Sequence, residues 1–160
     1  MYSPFFTAVE ANGAKMVYLN LDEEDGYKFD IDALNKLITK KTKLILNCCP
    51  HNPCGRVLTR EELRGIGEVA LDHKLTIMED KLHEDIVLDG RKHISIASVS
   101  PEIEERTITS FGFSKTYGIA GLQMGHLVTT NAQIMERLKN KWRCARRDLQ
   151  PRKGLCTRDA

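Results

Sequence analysis

The sequence predicts an α/β fold, a mostly parallel sheet with flanking helices, and three observations predict it. Helical patterns alternate along the chain with short apolar strands, and parallel neighbours need the crossovers that such helices supply. The central strands, Leu44-Ile45-Leu46 and Leu75-Thr76-Ile77-Met78, lack regular polar alternation, as strands covered on both faces do. A length of 160 residues, 41% hydrophobic and 29% charged, suits one folded domain rather than a disordered chain.

Each element has its own local reason. Ser3 to Asn12 reads as a helix opened by Pro4 at its first position, where a missing N–H costs nothing, and followed by Gly13. Lys15 to Leu21 reads as a strand. Asp30 caps a helix whose Ile31, Leu34, Leu37 and Ile38 form one apolar stripe. After the Leu44–Leu46 strand, Thr59 and Glu62 make a capping box: the hydroxyl accepts from one free N–H while the carboxylate reaches back to another. That helix runs through Leu63, Ile66, Val69 and Ala70 to about His73. Leu75–Met78, Thr107–Phe111 and His126–Thr130 are further strands, and Asn131 starts a helix through Ile134 and Leu138 towards Trp142. From Arg143 the apolar face ends, so residues 1–142 are expected to form the folded unit and 143–160 a basic tail, frayed or disordered.

The net charge of +2 hides an asymmetry. Between Arg137 and Lys153 eight basic residues face one acid, Asp148, leaving that stretch at +7 and the remainder at −5. A tail with one aromatic, Trp142, reads as a solvated helix end rather than a nucleic-acid interface. No apolar run approaches the ~18 residues of a membrane span, so no membrane partner is expected. Nor does Met1-Tyr2-Ser3-Pro4 open a secretory signal. Five cysteines, two of them adjacent at Cys48 and Cys49, suggest reduced thiols in the cytoplasm rather than a disulfide framework. The spacing of Cys48, Cys49, His51 and Cys54 is not a usual zinc pattern, and no second ligand pair follows nearby, so no metal site is expected.

Chemistry-bearing residues follow three of the strands: Asn52 after Leu44–Cys49, Asp80 after Leu75–Met78 and Lys115 after Thr107–Phe111. In a parallel sheet the carboxyl ends share one edge, where ligands bind. An amide, a carboxylate and an amine therefore converge on one crevice by topology. The amine and carboxylate can form a simple ion pair; alternatively the amine forms an imine with a bound aldehyde.

The motifs around these residues carry a resemblance. Asn52-Pro53-Cys54-Gly55 is similar to the Asn-Pro-x-Gly segment of fold-type I pyridoxal-phosphate enzymes, the class I/II aminotransferases. Asp80-Lys81-Leu82-His83 resembles the family's Asp-x-x-Tyr segment, and Ser114-Lys115-Thr116-Tyr117-Gly118 its Ser-Lys segment. Asn52 and Asp80 lie 28 residues apart and Asp80 and Lys115 lie 35 apart, close to the family's intervals. The resemblance covers roughly Tyr2 to Lys139.

It implies a partial large domain of the pyridoxal-phosphate transferase fold, with pyridoxal 5'-phosphate as cofactor, amino-acid and 2-oxo-acid substrates, and a homodimer. Lys115 would hold the cofactor aldehyde as an imine and then shuttle the substrate proton. Asp80 would pair with the pyridine nitrogen, Asn52 and His83 would reach the phenolate oxygen, and Ser114 would help bind phosphate. Three positions depart from the pattern: His83 stands where Tyr is usual, Gln123 where Arg binds the phosphate, and Gly112 where many relatives have Ser. The family's phosphate loop precedes the Tyr2 region and its substrate-carboxylate arginine follows Lys139. The chain is therefore expected to be the middle of that domain, cut at both ends, with weak or no activity alone. Transamination is the first reading. Carbon–sulfur β-elimination is the alternative suggested by His83 and Gln123, and a non-catalytic dimerising or binding module is the alternative from another class.

Overall fold

The computed structural model describes residues 3–88 and 90–148, with 142–148 described by backbone alone. α1 (Pro4–Ala11) is followed by a long irregular segment and α2 (Ile31–Leu37). β1 (Leu44–Cys48), α3 (Arg60–Asp72), β2 (Thr76–Asp80), the one-turn α4 (Pro101–Glu104) and β3 (Thr107–Phe111) come next. β4 (His126–Val128) and α5 (Ala132–Asp148) close the order. The sheet runs β1-β2-β3-β4, the first three strands parallel and β4 antiparallel to β3. The expected mostly parallel α/β layer is thus observed.

Register positions the site. Cys48 lies level with Asp80, and Asp80 with Ser110, so three carboxyl ends finish on one line. The ladder continues one step past the strands, with Cys49 N donating to Asp80 O and Lys81 N to Ser110 O, each at 3.0 Å. The core gathers Ile45 and Ile77 from the sheet, Leu63, Ile66, Val69 and Ala70 from α3, and Ile96, Val99 and Ile103 from the segment before β3. Gly67 admits the last of these: a methyl there would meet Ile103 Cδ1 at 2.2 Å.

One charged side chain is fully buried in this core. Glu79 of β2 accepts from Ser95 Oγ, from Ile96 N at 2.7 Å and from Thr109 Oγ1 at 3.1 Å. Three donors around one carboxylate offset its desolvation, and they tie the Ser95–Ile96 segment to the middle of the sheet.

The structure differs from the sequence expectations in three places. Among the described residues Lys15–Leu21 pairs with no neighbour and forms no strand, and Tyr18 meets the Phe6 ring edge-on at 5.7 Å. The last strand is shorter than expected, ending at Val128. α5 continues through Asp148, beyond the limit placed at Trp142. Arg, Lys and Ala extend a nucleated helix at little cost even where no apolar face guides them. Residues 149–160, the rest of the expected tail, lie outside the described residues. Among the described residues no helix is long and apolar enough to cross a membrane.

The capping box of α3 forms as read from the sequence: Thr59 Oγ1 accepts from Glu62 N at 3.2 Å, and Glu62 Oε2 accepts from Thr59 N at 2.9 Å. Glu62 Oε1 adds Arg56 Nη2 at 2.7 Å and Phe29 N at 3.2 Å, tying the helix start to the segment before α2. Burial by itself would push this carboxyl up, but the Arg56 guanidinium and the Thr59 and Phe29 N–H groups outweigh it and hold it below the ordinary value of 4.5. A carboxyl depressed by folding stabilises the native state above that value and loses the contribution as pH falls through its lower folded pKa. In urea titrations, wild type should lose stability below 4.5, whereas Glu62→Gln should show a shallower acid limb. The same variant should be less stable at neutral pH by about 1–3 kcal/mol.

Candidate active site

Each strand end delivers a polar side chain through a turn that the local sequence dictates. After β1 the chain reverses over Pro50–Gly55, where Gly55 N donates to His51 O at 2.7 Å and His51 N to Arg56 O at 2.8 Å. Gly55 has φ +70°, the left-handed region that glycine enters without strain. The turn brings Asn52 back over the sheet edge, where its backbone N–H faces Cys48 Sγ. That sulfur also lies 3.4 Å from Pro50 O and 4.0 Å from Asp80 Oδ2. Burial, with the nearby Asp80 charge, pushes the Cys48 thiol up to about 11 despite the Asn52 N–H. It is a neutral thiol, able to face the carboxylate without repulsion.

Asp80 ends β2, and its Oδ1 accepts from Leu82 N at 3.1 Å. Burial raises its pKa, while the Leu82 N–H and the nearby His83 pull the other way. The loop that follows is held by Glu84 N to Lys81 O at 3.0 Å and Ile86 N to His83 O at 2.8 Å. His83 and Asn52 line one cavity of about 290 Å³, together with Pro50, Pro53, Ile86 and Leu88.

After β3 the backbone passes close to the approach to β4. A side chain at Gly112 would meet Met124 O at 3.0 Å and Leu82 Cδ1 at 3.2 Å, so this position has room for glycine and little more. Tyr117 N bonds Phe113 O at 3.0 Å and closes the turn that carries a half-buried Ser114 and an exposed Lys115. Thr116 Oγ1 donates to Asp85 Oδ2 at 2.8 Å and ties this turn to the loop after β2. Gln123, at φ +51°, ends a short 3-10 turn over Ala120–Leu122 and is exposed.

Asn52, Asp80 and His83 are therefore brought together, and Ser114 and Lys115 sit on the adjoining turn of the same edge. The walls of the cavity include Asn52 and His83 but not Asp80, Ser114 or Lys115. Sequence reasoning did not place the Cys48 thiol beside Asp80. It also missed the stack in which Lys81 Nζ lies 5.3 Å from the centre of the Phe111 ring and that ring lies 5.0 Å from His126. Glu79 was missed because the strand was read as ending at Met78. A charged residue in step with Ile77 on the inward face is the signal that could have found it.

A mostly parallel four-stranded sheet with flanking helices matches the fold of pyridoxal-phosphate-dependent transferases, and here its carboxyl edge carries an amide, a half-buried carboxylate, an imidazole and a primary amine. The family model for aminotransferase class I and II matches residues 1–143, and this chain belongs to that family. The chain is similar to the cystathionine beta-lyase PatB of Bacillus subtilis, 39% identical over 141 residues that cover 87% of this chain and 35% of that protein. It is also similar to the aspartate aminotransferase of the same organism, 38% identical over 118 residues, 74% of this chain and 30% of that one. Among solved structures it resembles cystalysin of Treponema denticola, which contains a pyridoxal 5'-phosphate cofactor. That likeness has a TM-score of 0.81 and 37% identity, and it covers 85% of this chain and 35% of that one. The chain thus spans about a third of the length of these relatives.

The three described cysteines are unpaired, and they differ in exposure. Cys48 and Cys49 are buried with raised pKa values, whereas Cys54 is partly exposed. Iodoacetamide at about pH 8 should therefore label Cys54 before Cys48 and Cys49, because a thiol at about 11, as Cys48 is, is only ~0.1% thiolate there. Peptide mass mapping should find Cys48 and Cys49 unmodified until denaturant is added.

Proposed function

We propose that this chain carries the central cofactor-binding layer of a pyridoxal 5'-phosphate enzyme that transfers amino groups between amino acids and 2-oxo acids. The observation that carries this reading is the Asp80 carboxylate. Its Oδ1 is committed to Leu82 N, while among the described residues its Oδ2 meets only a weak thiol donor at 4.0 Å, leaving one oxygen open to an outside N–H. The residues present fit the cofactor's chemistry. Asp80 would accept from a protonated ring nitrogen, Asn52 and His83 would donate to the phenolic oxygen, Ser114 would donate to phosphate and Lys115 would be the amine for the aldehyde.

When bound, pyridoxal phosphate supplies an electron-withdrawing ring that stabilises negative charge developing at the amino-acid Cα. Asp80 holds the proton on the ring nitrogen that keeps the ring withdrawing. Burial favours the neutral form of Asp80, and a cationic N–H beside it reverses that preference. Asn52 and His83, set on two rigid turns, orient the ring by its oxygen. Lys115 stands on an exposed turn with no hydrogen bond or ion pair among the described residues, so its amine is free to take the Cα proton and return it.

A second reading is β-elimination from a sulfur amino acid. His83 in place of Tyr and Gln123 in place of Arg favour it, as does the likeness to a cystathionine beta-lyase. A homodimer in a reducing cytoplasm belongs to either reading. Leu122, Met124, Leu127 and Val128 form an exposed apolar stretch along β4 and its approach, and the described thiols are unpaired.

Mixing the purified chain with pyridoxal phosphate should produce the absorbance band of a lysine-bound cofactor. Lys115→Ala should abolish that band and lower any turnover by at least ~10²-fold. Identical spectra for the two proteins would overturn the assignment of Lys115. Keto-acid formation from amino acids then indicates transamination, and released thiol indicates elimination.

A further inference from the structure

His93 has no role in the function proposed above. Its side chain is only 8% exposed, and its Nε2 has no hydrogen-bond partner among the described residues. Leaving a buried imidazole nitrogen unpaired costs stability that an apolar side chain of similar size would not. Its surroundings indicate what that cost supports. Nδ1 faces Glu84 Oε2 at 3.9 Å. Glu79 on β2 and Lys81 just beyond it act on the ring by charge, the Cys49 carbonyl just past β1 accepts from it, and Asp85, Arg91 and Lys92 line the same cavity as His93. Glu84 pairs with Lys81, which lies over the Phe111 ring. Two and three residues after His93, Ser95 and Ile96 grip the buried Glu79.

The imidazole therefore bonds the Cys49 carbonyl just past β1 and lies beside Glu84 of the 81–86 loop, which carries His83 and the Leu82 N–H that orients Asp80. We infer that His93 is a positioning residue that fastens the 81–86 loop to the strand ends and so holds His83 and Asp80 at the edge of the crevice. Only the consequence for the cofactor rests on the function proposed above; the fastening itself does not. Burial outweighs the two carboxylates and keeps the imidazole below its ordinary pKa, so at neutral pH the ring is a neutral wedge. Glu84 then keeps Lys81 as its ionic partner.

Amide hydrogen exchange on the full chain without cofactor tests the fastening. In His93→Phe, the Leu82, Glu84 and Ile86 amides should exchange about tenfold faster while those of β1 to β3 do not change. The melting midpoint should stay within about 3 °C of wild type, because the orphan nitrogen has gone too. His93→Gln, which keeps an N–H of similar reach, should restore most of the protection. His93→Leu, a second apolar replacement that leaves the Lys81–Glu84 pair in place, should loosen the same three amides, so a folding defect in His93→Phe leaves the test intact. Pyridoxal phosphate titrated by absorbance should bind about tenfold more weakly to His93→Phe, with Lys115→Ala as the blank. Unchanged loop protection in His93→Phe and His93→Leu would overturn the inference. Uniformly faster exchange across the sheet would also overturn it, since His93 would then be an ordinary core residue. If wild type and Lys115→Ala give the same spectrum while the loop responds to His93, the cofactor reading falls and the fastening stands.

Discussion

Everything at the candidate site depends on the register of three parallel strands. Parallel hydrogen bonding sets Cys48, Asp80 and Ser110 level, and two further bonds from Cys49 and Lys81 carry the ladder into the loops. A slip of one residue in β2 would turn Asp80 to the opposite face and bring Glu79 to its side of the sheet. The burial pattern resists such a slip: Ile77 and Glu79 lie on the core face and are fully buried, and neither has an equivalent environment one position away.

Glu79 makes that register specific. A buried carboxylate with three donors is costly to move, because each donor would be left unpaired. Its donors come from two places, Thr109 on the neighbouring strand and the Ser95–Ile96 segment. It therefore aligns β2 with β3 while clamping the connection that returns over the sheet. The neighbouring residue, Asp80, points the other way and has one oxygen with only a thiol for company. Adjacent carboxylates on one strand thus differ in kind: one is consumed by the architecture, and the other is left with capacity for a ligand.

Much of this was legible in the sequence, and particular residues show why. Asp30, the Thr59–Glu62 capping box and Pro4 act within a few residues of themselves, so their helices start where the sequence predicts. That Asn52, Asp80 and Lys115 follow strands ending at one edge was legible because strand ends in a parallel sheet must share an edge. Lys15–Leu21 was misread because a strand needs a partner alongside, and among the described residues none pairs with it. The α5 boundary was misplaced because helix propensity, and not an apolar stripe, carries that helix to Asp148. Cys48, His93 and the Lys81–Phe111–His126 stack were invisible because each depends on residues distant in the chain.

The sequence by itself determined the helix starts, the apolar core strands and the order of three chemistry-bearing motifs, since all of these follow from spacing and local hydrogen bonding. Only the tertiary structure decided that β4 runs antiparallel, that Glu79 is a clamp while Asp80 stays available, and that His83 shares a cavity with Asn52 while Lys115 stands on an exposed turn beside it. The physical reason is that burial and hydrogen-bond satisfaction are properties of a site assembled from separate segments. No segment carries them alone.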